Sequence, residues 1–261
     1  MAERRAIVTG AGRRLGRAMA LHLGAQGYDV AVHYAGSATA AEEVAGEIRA
    51  QGQRAVALQA DLLHEEATQS LIARAAEALG GPLCLLINNA SIFEPDTIAS
   101  ASRESWDRHM GSNLRAPFVL TQCFAKQAPP PILTARNEPE AQALIVNMID
   151  QRVRKPTPDF MTYTLAKMGL WALTQTSAQA LAPKVRVNAI GPGPTLQGAR
   201  QSAEDFAAQR ASTILQRGAE PSDILAALGY FMAAPAVTGQ LLCVDGGQHL
   251  GWQTPDVMGV E

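Results

Sequence analysis

Residues Ala6-Ile7-Val8-Thr9-Gly10-Ala11-Gly12-Arg13-Arg14-Leu15-Gly16-Arg17-Ala18 carry a short apolar run into an Ala/Leu-rich helix through glycines at 10, 12 and 16. A strand that turns so tightly into a helix lays the two against each other, as at the start of a βαβ unit. Glycines allow that turn and let a pyrophosphate approach the backbone. The helix N-terminus then offers free N–H groups and the positive end of its dipole. Glycines between a strand and a helix can also make a plain turn. The next ~20 residues favour the first reading, because they complete a βαβ unit.

The alternation continues along the chain. Apolar runs predict strands at 5–9, 29–34, 54–59, 84–88, 143–149, 184–190 and 240–244. Amphipathic segments predict helices at 14–26, 38–51, 64–79, 102–126, 160–181, 204–215 and 221–233. Runs such as Leu83-Cys84-Leu85-Leu86-Ile87 read as strands covered on both faces, which is the pattern of a parallel sheet between helix layers. The helices mostly end near Gly27, Gly52, Gly80 or Pro183, as helix stop signals require. The stretch from Ala128-Pro129-Pro130-Pro131 to Glu138-Pro139 reads as a surface loop. No linker or internal repeat divides the chain, so one domain over 1–261 is expected.

Composition narrows the function. The 261 residues are 47% hydrophobic, enough to build one large α/β domain. A net charge of -2 gives no electrostatic case for nucleic acid or an anionic membrane. Cys84, Cys123 and Cys243 lie far apart without metal spacing, so no metal site is expected. Their odd number suggests a reducing compartment, and those in strands should be inert thiols. The longest apolar runs fall short of ~18 residues, and the N-terminus leads straight into a strand, so a soluble cytoplasmic protein is expected.

Tyr163 and Lys167 in Tyr163-Thr164-Leu165-Ala166-Lys167 lie four apart, on one helix face. A free phenol holds its proton to about pH 10. An ammonium one turn away should lower that value and make the pair a proton donor and acceptor. Such a pair also occurs by chance in many helices. Its place downstream of the glycine turn gives it weight.

With these pieces placed, the chain resembles the short-chain dehydrogenase/reductase family over nearly its full length. The resemblance is carried by the Thr9–Gly16 turn, Asp61-Leu62, Asn88-Asn89-Ala90-Ser91, Asn113, Asp150, Tyr163/Lys167, Gly191-Pro192-Gly193 and Val244-Asp245-Gly246-Gly247, in family order and spacing. It implies a Rossmann-like doubly wound domain, usually tetrameric, that transfers hydride at a carbon bearing oxygen or nitrogen. It implies a cofactor held by Gly10, Arg13, Arg14, Leu15 and Gly16 of the turn, and by His33, Tyr34 and Ser37 after the second strand. Asp61 and Leu62 would meet the adenine side. Asn89, Ala90 and Ser91 would set the nicotinamide-side backbone. Pro192 and Gly193 would line the nicotinamide, and Thr195 its carboxamide. Lys167 would hold the ribose hydroxyls. Asn113 would hold a water that links Lys167 to solvent; a packing or kink role is the other reading. Residues 194–215 would form a mobile lid.

The departures from the family pattern are informative. Arg14 stands at a usual glycine, Ser91 at a usual glycine, and Asp150 at the usual catalytic serine. These changes, with His33-Tyr34, Ser37-Ala38 and Phe93, resemble the pteridine reductase branch, although Gly36 stands where that branch carries a basic residue. An ionised carboxylate accepts hydrogen bonds and cannot donate them. Asp150 would therefore repel the alkoxide of a ketone reduction. It suits a C=N bond whose nitrogen gains a proton, and a raised pKa beside the cofactor would let it deliver one. It could instead cap the turn after its strand. Arg14, Ser91 and Phe93 could bound a flat heteroaromatic ring; Arg14 could also meet only phosphate, and Phe93 could be core.

The second strand ends Val32-His33-Tyr34-Ala35-Gly36-Ser37 without the carboxylate that would bind a ribose 2′-OH. With Arg13 and Arg14 in the neighbouring turn and His33 and Ser37 as donors, NADP(H) is expected over NAD(H). The expected activity is NADPH-dependent reduction of a pterin-like C=N bond. A carbonyl reductase and a non-catalytic NADP-binding regulator are the alternatives. A homotetramer is expected, with a dimer second and Trp252 near a subunit contact.

Overall fold

The apolar runs become strands because their alternate residues feed two separate cores. Ala6, Val8, Leu85, Ile87, Leu144 and Val146 face one side of the sheet, and Ile7, Leu86, Ile145 and Val187 face the other. Burial of each such side chain contributes about 1.5–3 kcal/mol, so these strands are anchored on both faces. The computed structural model describes residues 4–198 and 200–254.

Its elements are β1 (Arg5–Val8), α1 (Arg14–Ala25), β2 (Asp29–Tyr34), α2 (Ala38–Ala50), β3 (Ala55–Gln59), α3 (Glu65–Ala78), β4 (Leu85–Asn88), α4 (Arg103–Met110), α5 (Ala116–Gln127), β5 (Ile132–Leu133), β6 (Pro139–Glu140), β7 (Ala143–Met148), α6 (Met161–Leu181), β8 (Val185–Pro192), α7 (Ala203–Ala211), α8 (Pro221–Ala233) and β9 (Leu241–Val244). Seven strands form one parallel sheet in the order β3-β2-β1-β4-β7-β8-β9. Met19, Leu23, Val44, Ile48, Leu228 and Phe231 bring α1, α2 and α8 onto one face. Leu71, Leu120, Phe124 and Ala178 bring α3, α5 and α6 onto the other. The strand order reverses between β1 and β4, and there the C-terminal strand ends open a crevice. The expected doubly wound α/β fold is present.

Three segments differ from the sequence expectation. The helix expected over 102–126 is α4, a single π-helical turn at Gly111–Arg115, and α5. Asn113 lies in that turn, fully buried, with its side chain bonded to a neighbouring loop, and Pro117 stands at the start of α5. A helix-wide apolar period cannot reveal a turn widened by one side chain's partners. The expected loop at 128–139 carries the short β5–β6 hairpin, which exposes Ile132 and Leu133. The helix expected over 204–215 ends at Ala211. Among the described residues, no helix is long and apolar enough to cross a membrane. Cys84, Cys123 and Cys243 are free and partly buried. Burial raises the Cys84 thiol above its ordinary range and pushes Cys243 up to about 11, which suppresses thiolate reactivity.

Candidate active site

The glycine turn is held from three sides. Gly10, at φ +63°, donates its N–H to His33 Nδ1 at 3.0 Å. The opposite ring nitrogen, Nε2, therefore carries the proton and donates to Ala60 O at 3.0 Å. His33 is 1% exposed, and burial lowers its pKa to about 4. This corrects the expectation that His33 donates to a cofactor: both nitrogens are spent tying the turn to the end of β3. Asn89 Nδ2 donates to Thr9 O at 2.8 Å and Gly10 O at 3.2 Å, while Thr9 Oγ1 accepts from the N–H groups of Asn89 and Ala90. Gly16 packs so closely that a Cβ there would stand 2.2 Å from Gly10 O. At Gly12 a Cβ would stand 3.1 Å from Ser37 Oγ, so the end of β2 abuts the turn.

The two arginines of the turn do different work. Arg13 is exposed and, among the described residues, makes no side-chain hydrogen bond or ion pair. Arg14 adopts φ +53°, which explains why glycine is usual there: a left-handed residue with a side chain is strained by about 1–3 kcal/mol. Its guanidinium reaches across the crevice to Gln197 O at 2.8 Å and Leu196 O at 3.0 Å. Arg14 thus latches the 194–215 segment, where it was expected at a ring edge or a phosphate. Arg210 adds a second latch, from Nη1 to Pro194 O at 3.0 Å and Ala219 O at 2.7 Å.

Tyr163 lies in the first turn of α6, Asp150 just beyond β7. Tyr163 Oη donates to Asp150 Oδ2 at 2.9 Å, and Asp150 Oδ1 accepts from Arg152 N at 2.8 Å. The two sequence readings of Asp150 therefore hold together: it caps the turn at Gln151–Val153 and it faces the phenol. Burial raises the Asp150 pKa, against the pull of its hydrogen bonds and of Arg152 and Lys167. Lys167 Nζ donates to Met148 O at 2.8 Å and sits 5.7 Å from the Tyr163 ring centroid. Burial lowers the Lys167 pKa to about 8. The expected depression of the tyrosine by the lysine is corrected here. Burial comes first, then the adjacent Asp150, and together they hold the Tyr163 phenol well above its ordinary range.

The Asn113 side chain is spent on the Ile92 backbone. Its Oδ1 accepts from Ile92 N and its Nδ2 donates to Ile92 O, both at 2.8 Å. The π turn thus pins the loop that presents Ser91 and Phe93. A buried network unseen in the sequence fixes the start of α6. Asp96 Oδ1 accepts from Thr162 N at 3.1 Å, and Asp96 Oδ2 accepts from Ser105 Oγ at 2.6 Å and from Thr162 Oγ1. His109 Nε2 accepts from Glu94 N, so its Nδ1 donates to Thr162 Oγ1 at 2.7 Å. Because Thr162 precedes Tyr163, this network sets the tyrosine's approach to the crevice.

The crevice is a cavity of about 540 Å³ that joins Gly10, Arg13, Arg14, Leu15, Gly16, Asn89, Ala90, Ser91, Phe93, Asp150, Tyr163, Lys167, Pro192, Gly193 and Thr195. Tyr34, Ser37, Asp61 and Leu62 stand outside it, near the β2 and β3 ends, and Asp61 caps its own turn through Leu63 N at 3.0 Å. Phe93 is 42% exposed, so it is not core. Its ring stacks on Phe160 at 4.2 Å and meets the edge of Tyr163 at 4.7 Å. Arg200 and Arg152 stand by the two stacked rings, and Arg200 Nη2 donates to Phe93 O at 2.7 Å. Sequence reasoning missed Phe160, which leaves no motif; it precedes α6 at φ +57°. It also missed Gln201, Phe206, Gln209 and Gln248, which line the cavity from the lid and the C-terminal segment. The Val244-Asp245-Gly246-Gly247 motif supports the wall: Asp245 accepts from Gly247 N and His249 N, and a Cβ at Gly193 would stand 2.5 Å from Asp245 Cβ. Among the described residues, no group of three or more His, Cys, Asp or Glu gathers as a metal site.

Comparisons with known proteins agree with this geometry. The family model for short chain dehydrogenase matches residues 4–208. The 3-oxoacyl-[acyl-carrier-protein] reductase FabG of Staphylococcus epidermidis is 32% identical over 250 residues, covering 94% of this chain and 98% of that protein. FolM alternative dihydrofolate reductase 1 from Brucella canis, complexed with NADP, superposes with a TM-score of 0.90 at 41% identity, covering 98% of each chain. The angucycline C-6 ketoreductase LanV with bound NADP superposes at 0.84 with 30% identity, covering 95% of this chain and 96% of that one.

Proposed function

The chain belongs to the short-chain dehydrogenase family, and we propose that it is an NADPH-dependent reductase of a C=N bond in a pterin-like substrate of the dihydropteridine or dihydrofolate type. The observation that carries this reading is the Asp150–Tyr163 pair, 2.9 Å apart, in the lining of the crevice. The neighbour complexed with NADP and called an alternative dihydrofolate reductase supports it.

The turn fits a dinucleotide. Gly10 and Gly16 let the turn pack tightly against the N-terminus of α1, whose free N–H groups would hold a pyrophosphate. Arg13, exposed and unpaired among the described residues, and Ser37, against Gly12, suit a 2′-phosphate where no carboxylate would repel it. Pro192, Gly193 and Thr195 would line the nicotinamide side, with Lys167 at the ribose. When bound, NADPH supplies the hydride.

This chain's residues supply the proton. Reduction of a C=N bond leaves a nitrogen that gains one proton. Tyr163 holds its proton tightly until such a base faces it, and the Asp150 carboxylate, its proton affinity raised by burial, can take up a proton and return it across the shared hydrogen bond. A ketone would instead place a developing alkoxide beside the Asp150 carboxylate, which repels it. The ring pocket is formed by Phe93 and Ser91 with Tyr163 at its edge. Arg14, Arg200 and Arg210 hold the lid that would close over it and exclude water.

Asp150→Asn tests the assignment. It keeps the size of the side chain and removes the proton, so turnover of a dihydropteridine should fall by about 10²–10⁴-fold with NADPH affinity unchanged. Near wild-type turnover in that variant would remove Asp150 from the mechanism.

Carbonyl reduction is the second reading, favoured by full-length similarity to a 3-oxoacyl reductase and by the intact Tyr163/Lys167 pair. We also propose self-association as a homotetramer. Tyr230, Leu242, Leu250 and Trp252 are exposed on α8, β9 and the following segment, and two-fold contacts are the common way to cover such a surface.

A further inference from the structure

Arg186 is a buried cation that forms no ion pair among the described residues, although Glu140 is near enough to act on its charge. It is the second residue of β8 and is 9% exposed. Its guanidinium makes one hydrogen bond, from Nη1 to Val237 O at 3.0 Å. Its Nε–H is sealed from solvent with no acceptor, and it joins no ion pair among the described residues. Arginine is almost never buried unless paired, because an uncompensated charge in the interior is costly. Burial pulls its pKa below the ordinary arginine range.

Arg186 lines a second cavity, of about 910 Å³. This cavity lies at the opposite end of the sheet from the candidate active site. The register shows it: Arg186 pairs with Leu144 and Leu144 with Leu85, all near the N-terminal ends of their strands, and all three line the cavity. Arg4 and Arg5 line it too, and among the described residues Glu140 is the one acid in its wall. The rest of the wall is largely apolar: Tyr28, Met232, Pro129, Pro130 and Ile132. Arg4 stands over the Tyr28 ring at 5.7 Å. Ile132, Pro129 and Pro130 belong to the β5–β6 hairpin and the segment leading to it.

We infer that this cavity binds a small organic anion, a carboxylate or a phosphomonoester with an apolar or aromatic body, with its anionic group on Arg186. The outer Nη2 group of Arg186, which makes no hydrogen bond among the described residues, can donate to an oxygen of a carboxylate or a phosphate. The cavity is far larger than an inorganic anion, and Tyr28, Met232 and Ile132 would face the ligand's body. The site shares no residue with the crevice that holds Tyr163, so it can be filled while the enzyme turns over.

The test is calorimetric titration of the full chain with NADPH saturating, so that the glycine turn is occupied. Benzoate and phenyl phosphate are the anionic probes, benzamide the neutral control of the same shape, and inorganic phosphate the body-free control. At least one aryl anion should bind saturably and benzamide should not. Benzoate alone identifies a carboxylate ligand, and phenyl phosphate alone a phosphate ligand. Arg186→Met should weaken that binding by about tenfold or more, since a lost hydrogen bond to a charged group has that weight. If Arg186→Met does not fold, Glu140→Gln serves instead: removing the one acid should tighten the anion severalfold. The inference is overturned if neither aryl anion binds, if benzamide binds as well as benzoate, if only inorganic phosphate binds, or if these substitutions leave the affinity unchanged.

Discussion

Replacing Gly16 with alanine tests whether close approach builds the cofactor turn. The new Cβ would stand 2.2 Å from Gly10 O, 2.9 Å from Gly10 C and 2.6 Å from Asn89 Nδ2. Non-bonded carbons rest at about 3.5–4.0 Å, so α1 must retreat from the turn by roughly 1 Å. Gly10 cannot yield instead, because His33 holds its N–H and Asn89 its carbonyl. Overpacking of this kind costs about 1–3 kcal/mol. For a chain of this size that lowers the melting temperature by roughly 2–12 °C. If the same strain falls on the pyrophosphate site, NADPH affinity drops roughly 5- to 150-fold. Gly12→Ala is the control, since its Cβ would meet Ser37 Oγ at 3.1 Å and backbone no nearer than 3.3 Å. Its effect should be the smaller one. Thermal melts with and without NADPH, together with a fluorescence titration, read both numbers. A Gly16→Ala protein with unchanged melting temperature and unchanged NADPH affinity would refute the reasoning.

Two further outcomes follow from the site. NADPH should bind tighter than NADH by about tenfold or more, and Arg13→Ala should close most of that gap, since a charge-assisted contact to a phosphate has this weight; equal affinities in the wild type would contradict it. The pH dependence follows from Lys167, whose pKa falls from 10.5 to about 8. With the folded value below the unfolded one, the charged form is penalised in the fold, so this group's contribution to stability grows as pH rises from about 8 to 10.5. Catalysis should run the other way. On the proposed reading the ammonium serves the ribose and the phenol, so kcat/KM should fall above about pH 8. Lys167→Arg, which stays charged, should lose that limb; a limb unmoved in the variant assigns it to another group.

The fold was legible because its signals are local and repeated. Continuous apolar runs such as Leu85–Asn88 and Ala143–Met148 are the mark of strands covered on both faces, and both runs are buried throughout. The glycine turn was legible for the same reason, since only glycine fits at Gly16. What the sequence hid was where polar side chains find their partners. His33 reads as a donor near a ligand, yet the fold spends both its nitrogens on Gly10 and Ala60. Tyr163 and Lys167 share a helix face, but spacing does not say that Asp150 takes the phenol and Met148 O takes the ammonium. Arg14 bonds to carbonyls 182 and 183 residues away, and Phe160 meets Phe93 across a break in helical order. Such pairings arise only when distant segments meet, and no periodicity encodes them.

The most direct test of the central claim is a substrate panel. NADPH oxidation is followed with a dihydropteridine, dihydrofolate and a set of ketones that includes a 3-oxoacyl thioester, on wild type and on Asp150→Ser. The account predicts that wild type turns over the C=N substrates in preference to every ketone, and that the serine variant loses the former while gaining on the latter. A wild-type enzyme that reduces the 3-oxoacyl thioester faster than any C=N compound would contradict it.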